Sequence, residues 1–127
     1  MTDATHGRIL VVDDDLDNAE SLTMLLRINH YDAHACLEPT ECLEAVERLR
    51  PDVVLLDLAM RGMTGYQIAE KLRAKEELRS LVLIALTGYG ADSDRQQTQA
   101  SGFDQHLVKP VAWPVLDAVL KSVAARD

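Results

Sequence analysis

Four apolar runs in this chain each end in a polar residue, and that repeat restricts the possible folds more than any other feature. ILVV (9–12) leads into Asp13, Asp14 and Asp15, VVLL (53–56) into Asp57, LVLIAL (81–86) into Thr87, and HLV (106–108) into Lys109. Continuous apolar runs of this length, alternating with segments of helical period, read as parallel strands buried on both faces. Ligands of open α/β sheets bind in the crevice at the carboxyl ends of the strands. The pattern therefore predicts that a carboxylate cluster, a hydroxyl and an ammonium converge on one edge of one sheet. Those are the parts of a site for a metal ion and a phosphoryl group.

Between the runs the chain reads as a β-α unit repeated five times, with short connections. The first strand is expected at about Arg8–Val12, followed by a helix with Ala19, Leu22, Leu25 and Leu26 on one face. A second strand, about Tyr31–Cys36, has the mixed polarity of an edge. Pro39 opens the next helix, with Leu43, Val46 and Leu49 inward, and Pro51 stops it. The third strand, Val53–Asp57, runs through a loop to Gly65 and a helix with Ile68, Ala69 and Leu72 as its apolar stripe. The fourth strand is Leu81–Leu86.

Asp92–Ser101 has helix formers but almost no apolar face, which predicts a marginal helix, with Gly102 suited to cap it. A fifth strand at about Gln105–Val108 precedes a helix from Pro114 with Val115, Leu116, Val119, Leu120 and Val123 inward. Right-handed crossovers then give a doubly wound, five-stranded parallel sheet with helices on both faces.

The chain's 127 residues suit one domain with a sizeable core. Only 4% are aromatic, so the core is aliphatic. With 21 acidic against 13 basic residues the formal charge is −8, and no basic cluster offers a nucleic-acid surface. The polar start, Met1 to Gly7, lacks a signal-peptide pattern, and no apolar stretch is long enough to cross a bilayer. These features predict a cytoplasmic protein with neither nucleic acid nor membrane as a partner. Cys36 and Cys42 lack metal-ligand spacing and read as packing residues, and the four histidines show no zinc pattern.

Each polar strand end has a plain structural explanation when taken alone. Asp15 or Asp17 can cap a helix, Asp57 can satisfy loop amides, Thr87 can sit in a turn and Lys109 can be a surface lysine. Independent explanations do not account for four strand ends of matching chemistry. Several carboxylates at one point repel unless a cation joins them, and hard oxygen donors with open positions suit Mg²⁺. A carboxylate in such a cluster can act as a nucleophile toward phosphorus. A hydroxyl and an ammonium can then hold the oxygens of the transferring group.

The segments ILVVDDD, PDVVLLDLAMRGMTG, ALTGYG and GFDQHLVKP resemble the signatures of the response-regulator receiver domain of two-component signalling. The resemblance runs from about Arg8 to Ala124 and implies one receiver domain over residues 1–127, its core at about 8–124. It implies a flavodoxin-like fold with strand order 2-1-3-4-5. It makes Asp57 the phosphoacceptor and Asp14 a direct Mg²⁺ ligand, with Asp13 acting largely through water. The backbone carbonyl of Ala59 would complete the protein's share of the metal shell. Thr87 and Lys109 would hold the phosphoryl group, and a cis Lys109–Pro110 bond would aim the lysine at it.

The resemblance also implies a phosphoacceptor rather than an enzyme, with at most self-phosphorylation from small donors and self-dephosphorylation. The phosphoryl donor would be a histidine kinase or a histidine phosphotransfer protein, and an unidentified output protein would read the result. Ala59 and Tyr89 would flank the pocket and tune hydrolysis. The readout surface would comprise the weak helix, the fifth strand and the face near Trp113.

The chain departs from the family pattern at Arg61, where proline is usual, and at Thr64, where an acidic residue is common. A third departure is His106, three residues before Lys109, where many members carry a Tyr or Phe switch. Its plain reading is a half-buried strand residue. The GFDQHLVKPV stretch resembles receivers attached to hybrid histidine kinases more than those driving DNA-binding domains, and a stand-alone regulator, a relay shuttle or an excised piece of a hybrid kinase are the alternatives.

Three rivals compete with this reading. A haloacid-dehalogenase-type phosphatase would use Asp13 as nucleophile and Asp15 as acid/base, but Asp17 stands where that motif wants Thr or Val. An EF-hand would need Gly and Glu where Asn18 and Met24 stand. An unphosphorylated docking module would not need all of Asp14, Asp57, Thr87 and Lys109.

Overall fold

The computed structural model describes residues 7–58, 64–88 and 99–124. Five strands, β1 (Arg8–Val12), β2 (Asp32–Cys36), β3 (Val53–Asp57), β4 (Val82–Thr87) and β5 (Gln105–Val108), form one sheet. All pairings are parallel and the order is 2-1-3-4-5. The expected doubly wound, flavodoxin-like architecture is what the chain adopts. The described helices are α1 (Leu16–Ile28), α2 (Cys42–Leu49), α3 (Gly65–Arg73) and α4 (Trp113–Ala124).

Alternate residues of each strand serve opposite layers, which is why the runs are apolar throughout. Leu10, Val12, Val54, Leu56, Leu83 and Ala85 pack with Val46 of α2, Ile68 and Leu72 of α3, and Phe103. Ile9, Val11, Val53, Leu55, Ile84 and Leu86 pack on the other face with Leu26 of α1 and with Leu116 and Leu120 of α4. Cys36 and Cys42 are free, buried thiols in the first layer, as packing residues would be. Burial raises both thiol pKa values, Cys42 to about 12.

Several boundaries shift by a residue or a turn. Leu81 closes the turn after α3, its N–H donating to the Leu78 carbonyl at 3.1 Å. Strand β4 therefore starts at Val82, opposite Val53, and draws Thr87 into the ladder opposite Val108. Pro39–Glu41 is a single 3₁₀ turn, and α2 begins only at Cys42. It ends at Leu49, two residues before Pro51, with Arg50 as the C-cap in the left-handed region at φ 51°. Residues 92–98 of the expected weak helix lie outside the described residues. Gly102, at φ +100°, donates its N–H to Gln99 O at 3.1 Å, in keeping with a terminating role. Among the described residues no helix is long and apolar enough to cross a membrane.

The start of α3 bears directly on Asp57. Thr64 caps the helix, and a reciprocal pair of hydrogen bonds with Gln67 completes a capping box. That cap seats Gly65 against the strand end, where an added methyl would lie 2.7 Å from the Asp57 carbonyl oxygen and 2.9 Å from Leu58 Cα. Gly65→Ala should lower stability by about 2 kcal/mol, because backbone must shift to admit the methyl. Alanine's better helix propensity returns at most about 1 kcal/mol. Urea unfolding of both proteins measures the difference, and an unchanged midpoint would refute the contact.

Candidate functional site

The carboxyl edge of the sheet gathers the polar strand ends. Asp13 follows β1, Asp57 ends β3, Thr87 ends β4 and Lys109 follows β5. Asp13, Asp57 and Thr87 are all buried, with 3%, 5% and 7% exposure, and Asp14 is half-buried. One carboxylate oxygen from each of Asp13, Asp14 and Asp57 falls within 4.8 Å of the other two. The Lys109 ammonium lies 3.2 Å from Asp13 Oδ2 and 3.2 Å from Asp57 Oδ2.

Backbone contacts fix these positions. The Asp15 N–H donates to Asp13 Oδ1 at 2.9 Å, while Asp15's own carboxylate accepts from the Asn18 N–H at 3.1 Å as the N-cap of α1. Asp15 is thus a helix cap, and Asp13 has both oxygens engaged. The Lys109 N–H donates to the Thr87 carbonyl at 2.7 Å, so these two residues are tied through the main chain. The Leu58 N–H donates to Leu86 O at 3.0 Å, holding the segment after Asp57 on β4. The Lys109–Pro110 bond is cis.

The charges are unbalanced. Burial, reinforced by the charge of Asp57, raises the Asp13 pKa, and the Asp15 amide and Lys109 do not cancel that effect. For Lys109, burial works against the ammonium. The charges of Asp57 and Asp13, with hydrogen bonds to both, more than offset it and hold the pKa above the ordinary lysine value. Asp13 and Asp57 thus share one ammonium, and hard oxygen donors facing each other this closely suit a small divalent cation.

His106 is half-buried in β5, opposite Ala85. Ala59 and Tyr89, expected at the metal shell and the pocket rim, lie outside the described residues. Two contributors were not anticipated. One is Gly65 against the Asp57 carbonyl, whose only sequence signal was the Thr64…Gln67 capping pattern. The other is a cleft of about 470 Å³ between α1 and the segment after Lys109, lined by Asn18, Ser21, Leu22, Leu25, Pro110 and Val111 and reaching Asp13 and Lys109. No local pattern announces it, because its walls come from opposite ends of the chain.

Residues 9–121 match the family model of the response regulator receiver domain. The chain belongs to that family. The receiver is 41% identical over 108 residues to the DNA-binding response regulator MtrA of Mycobacterium tuberculosis. That match covers 85% of the chain and 46% of the relative, so the receiver spans about half of the curated protein's length. Among solved structures, the chemotaxis protein CheY4 of Vibrio cholerae superposes with a TM-score of 0.86 at 25% identity, covering 91% of this chain and 97% of that one. The receiver domain of a signal transduction histidine kinase from Syntrophus aciditrophicus gives 0.84 at 28% identity, covering 94% and 90%.

A carboxyl whose folded pKa exceeds its unfolded value loses folding stability as pH rises through the window between them, because the unfolded chain releases its proton first. Ionised Asp13 therefore costs stability at neutral pH. In buffer free of divalent cations, Asp13→Asn should raise the unfolding midpoint, since Asn keeps the acceptor for Asp15 and leaves Lys109 paired with Asp57. Lys109→Met, which removes the shared cation, should lower stability by roughly 2 kcal/mol or more. Shifts of the same sign in both variants would refute this charge balance.

Proposed function

We propose that this receiver accepts a phosphoryl group on Asp57 from a phosphohistidine of a histidine kinase or phosphotransfer protein. The observation that carries the reading is the buried Asp57 carboxylate, its Oδ2 3.2 Å from the Lys109 ammonium and grouped with the carboxylates of Asp13 and Asp14. In the reaction an Asp57 oxygen attacks phosphorus in line with the departing imidazole. The P–O bond forms as the P–N bond breaks, and the imidazole nitrogen keeps the electron pair. Lys109 and the Thr87 hydroxyl hold oxygens of the transferring group, each placed by its own strand end.

The donor set fits Mg²⁺: Asp13, Asp14 and Asp57 would hold it, together with the Ala59 carbonyl assigned by family resemblance. When bound, the cation neutralises charge on the carboxylates and the phosphoryl oxygens. The phosphatase reading through Asp13 loses its acid/base, because Asp15 caps α1.

Phosphorylation would then change a protein-protein contact. Thr87 and Lys109 are joined by a main-chain hydrogen bond, so drawing Thr87 toward the phosphoryl group displaces the end of β5. The output is a surface on β5 and α4 near Trp113, read by a partner protein. Relatives of both kinds carry such a domain, one named as a DNA-binding regulator and one as a histidine kinase. In this chain we take residues 1–127 as one receiver unit, operating in a cytoplasmic signalling system.

Intact mass after incubation with acetyl phosphate and Mg²⁺ tests the assignment. One added phosphoryl group is expected for wild type and none for Asp57→Ala. An adduct kept in Asp57→Ala and lost in Asp13→Ala would overturn it. Thr87→Ala should still take up the phosphoryl group while losing the change in amide-exchange protection over 107–109. A wild-type-like exchange response in that variant would exclude Thr87 from the output.

A further inference from the structure

The end of β5 remote from the site is held in a way that the proposed phosphoacceptor chemistry does not require. Arg73, the last residue of α3, spreads its guanidinium over the turn entering β4 and the turn entering β5. Its Nε donates to the Gly102 carbonyl at 2.8 Å, and Nη1 to the Leu81 carbonyl at 2.7 Å and the Leu78 carbonyl at 3.4 Å. Nη2 donates to Asp104 Oδ2 at 2.6 Å, and the same oxygen accepts the Leu83 N–H at 2.9 Å. The Asp104 N–H donates in turn to Leu83 O at 2.8 Å. The planar fork of an arginine can satisfy several acceptors at once, and a lysine cannot. The Arg73 and Asp104 side chains are only 22% and 31% exposed, so solvent does little to loosen the pair.

Two further contacts lock the turn. Gly102, at φ +100°, lies so close to the Arg73 stem that an added methyl would come within 2.6 Å of Cγ. Phe103 is 6% exposed and packs in the same layer as Leu72 of α3. The other end of β5 is held differently. There the Lys109 N–H reaches Thr87 O, and Val108 is 42% exposed. Among the described residues β5 is an edge strand, paired only with β4. A short edge strand paired on one side, anchored at its entry and tied to the site at its exit, is least restrained at the exit.

We propose that Arg73 is the pivot of a lever formed by β5, so that displacement of Thr87 and Lys109 swings the strand's exit while Gly102–Asp104 stays still. The inference rests on the reading of Asp57 as phosphoacceptor. The lever localises the signal to His106, Val108 and the segment after Lys109, and keeps it from dissipating into the turn. Arg73 touches none of the reacting groups and acts as a positioning residue.

Amide chemical shifts with and without beryllofluoride and Mg²⁺, a mimic of a phosphorylated carboxylate, test the lever. In wild type, Leu58 and Leu107–Lys109 should shift strongly, and Gly102–Asp104 by less than about a third as much. In Arg73→Lys, Leu58 should shift as before while the perturbation extends into Gly102–Asp104 and shrinks at Val108. Gly102→Ala, which pushes the arginine stem away, should repeat that pattern, so the result does not depend on one variant. Merely lower stability would not relocate the shifts. Wild-type shifts at Gly102–Asp104 equal to those at Lys109, or an unchanged pattern in both variants, would overturn the pivot. No wild-type shift at Leu58 or Lys109 would overturn the phosphoacceptor reading, and the pivot with it.

Discussion

The Lys109 ammonium, held 3.2 Å from a carboxylate oxygen of Asp13 and of Asp57, is the interaction on which the working edge of this receiver depends. Two buried carboxylates facing each other would drive one another toward protonation or push the strand ends apart. The lysine, between Asp13 and Asp57, offsets that repulsion and ties the two strand ends together. The carboxylate oxygens gathered there are hard donors of the kind that suits a small divalent cation.

The sheet makes that arrangement achievable. Each central strand is apolar on both faces, so its register is fixed from two sides and cannot slip without exposing core residues. Fixed register puts Thr87 opposite Val108, and its carbonyl within reach of the Lys109 N–H. The same ladder aligns Asp57 with Leu86. Main-chain geometry therefore sets where the side chains of the site stand, and the Lys109 ion pairs join them.

The family relationship places a common module in a chain whose relatives differ in what surrounds it. MtrA, at 41% identity, extends well beyond the matched region, whereas CheY4 is almost wholly covered. In this receiver the edge strand β5 carries a half-buried histidine, and Arg73 holds the end of that strand remote from the site.

The sheet order, the packing layers and the residues of the carboxyl edge were legible in the sequence because two-sided burial leaves continuous apolar runs. Those runs point to the polar residues that end them. Side-chain roles within DDD were legible only in part: Asp15 was offered with Asp17 as a helix cap, but no local signal showed the amide clamp on Asp13. The start of α1 made Asp15 a cap and its amide a clamp on Asp13. Arg73 was invisible for a related reason: its acceptors are mostly backbone carbonyls, which no residue type announces. The sequence by itself determined which chemical groups stand at the strand ends, because local periodicity dictates strand and helix. Only the tertiary structure decided which of them touch, because Asp13 and Lys109 are 96 residues apart and meet through the register of strands between them.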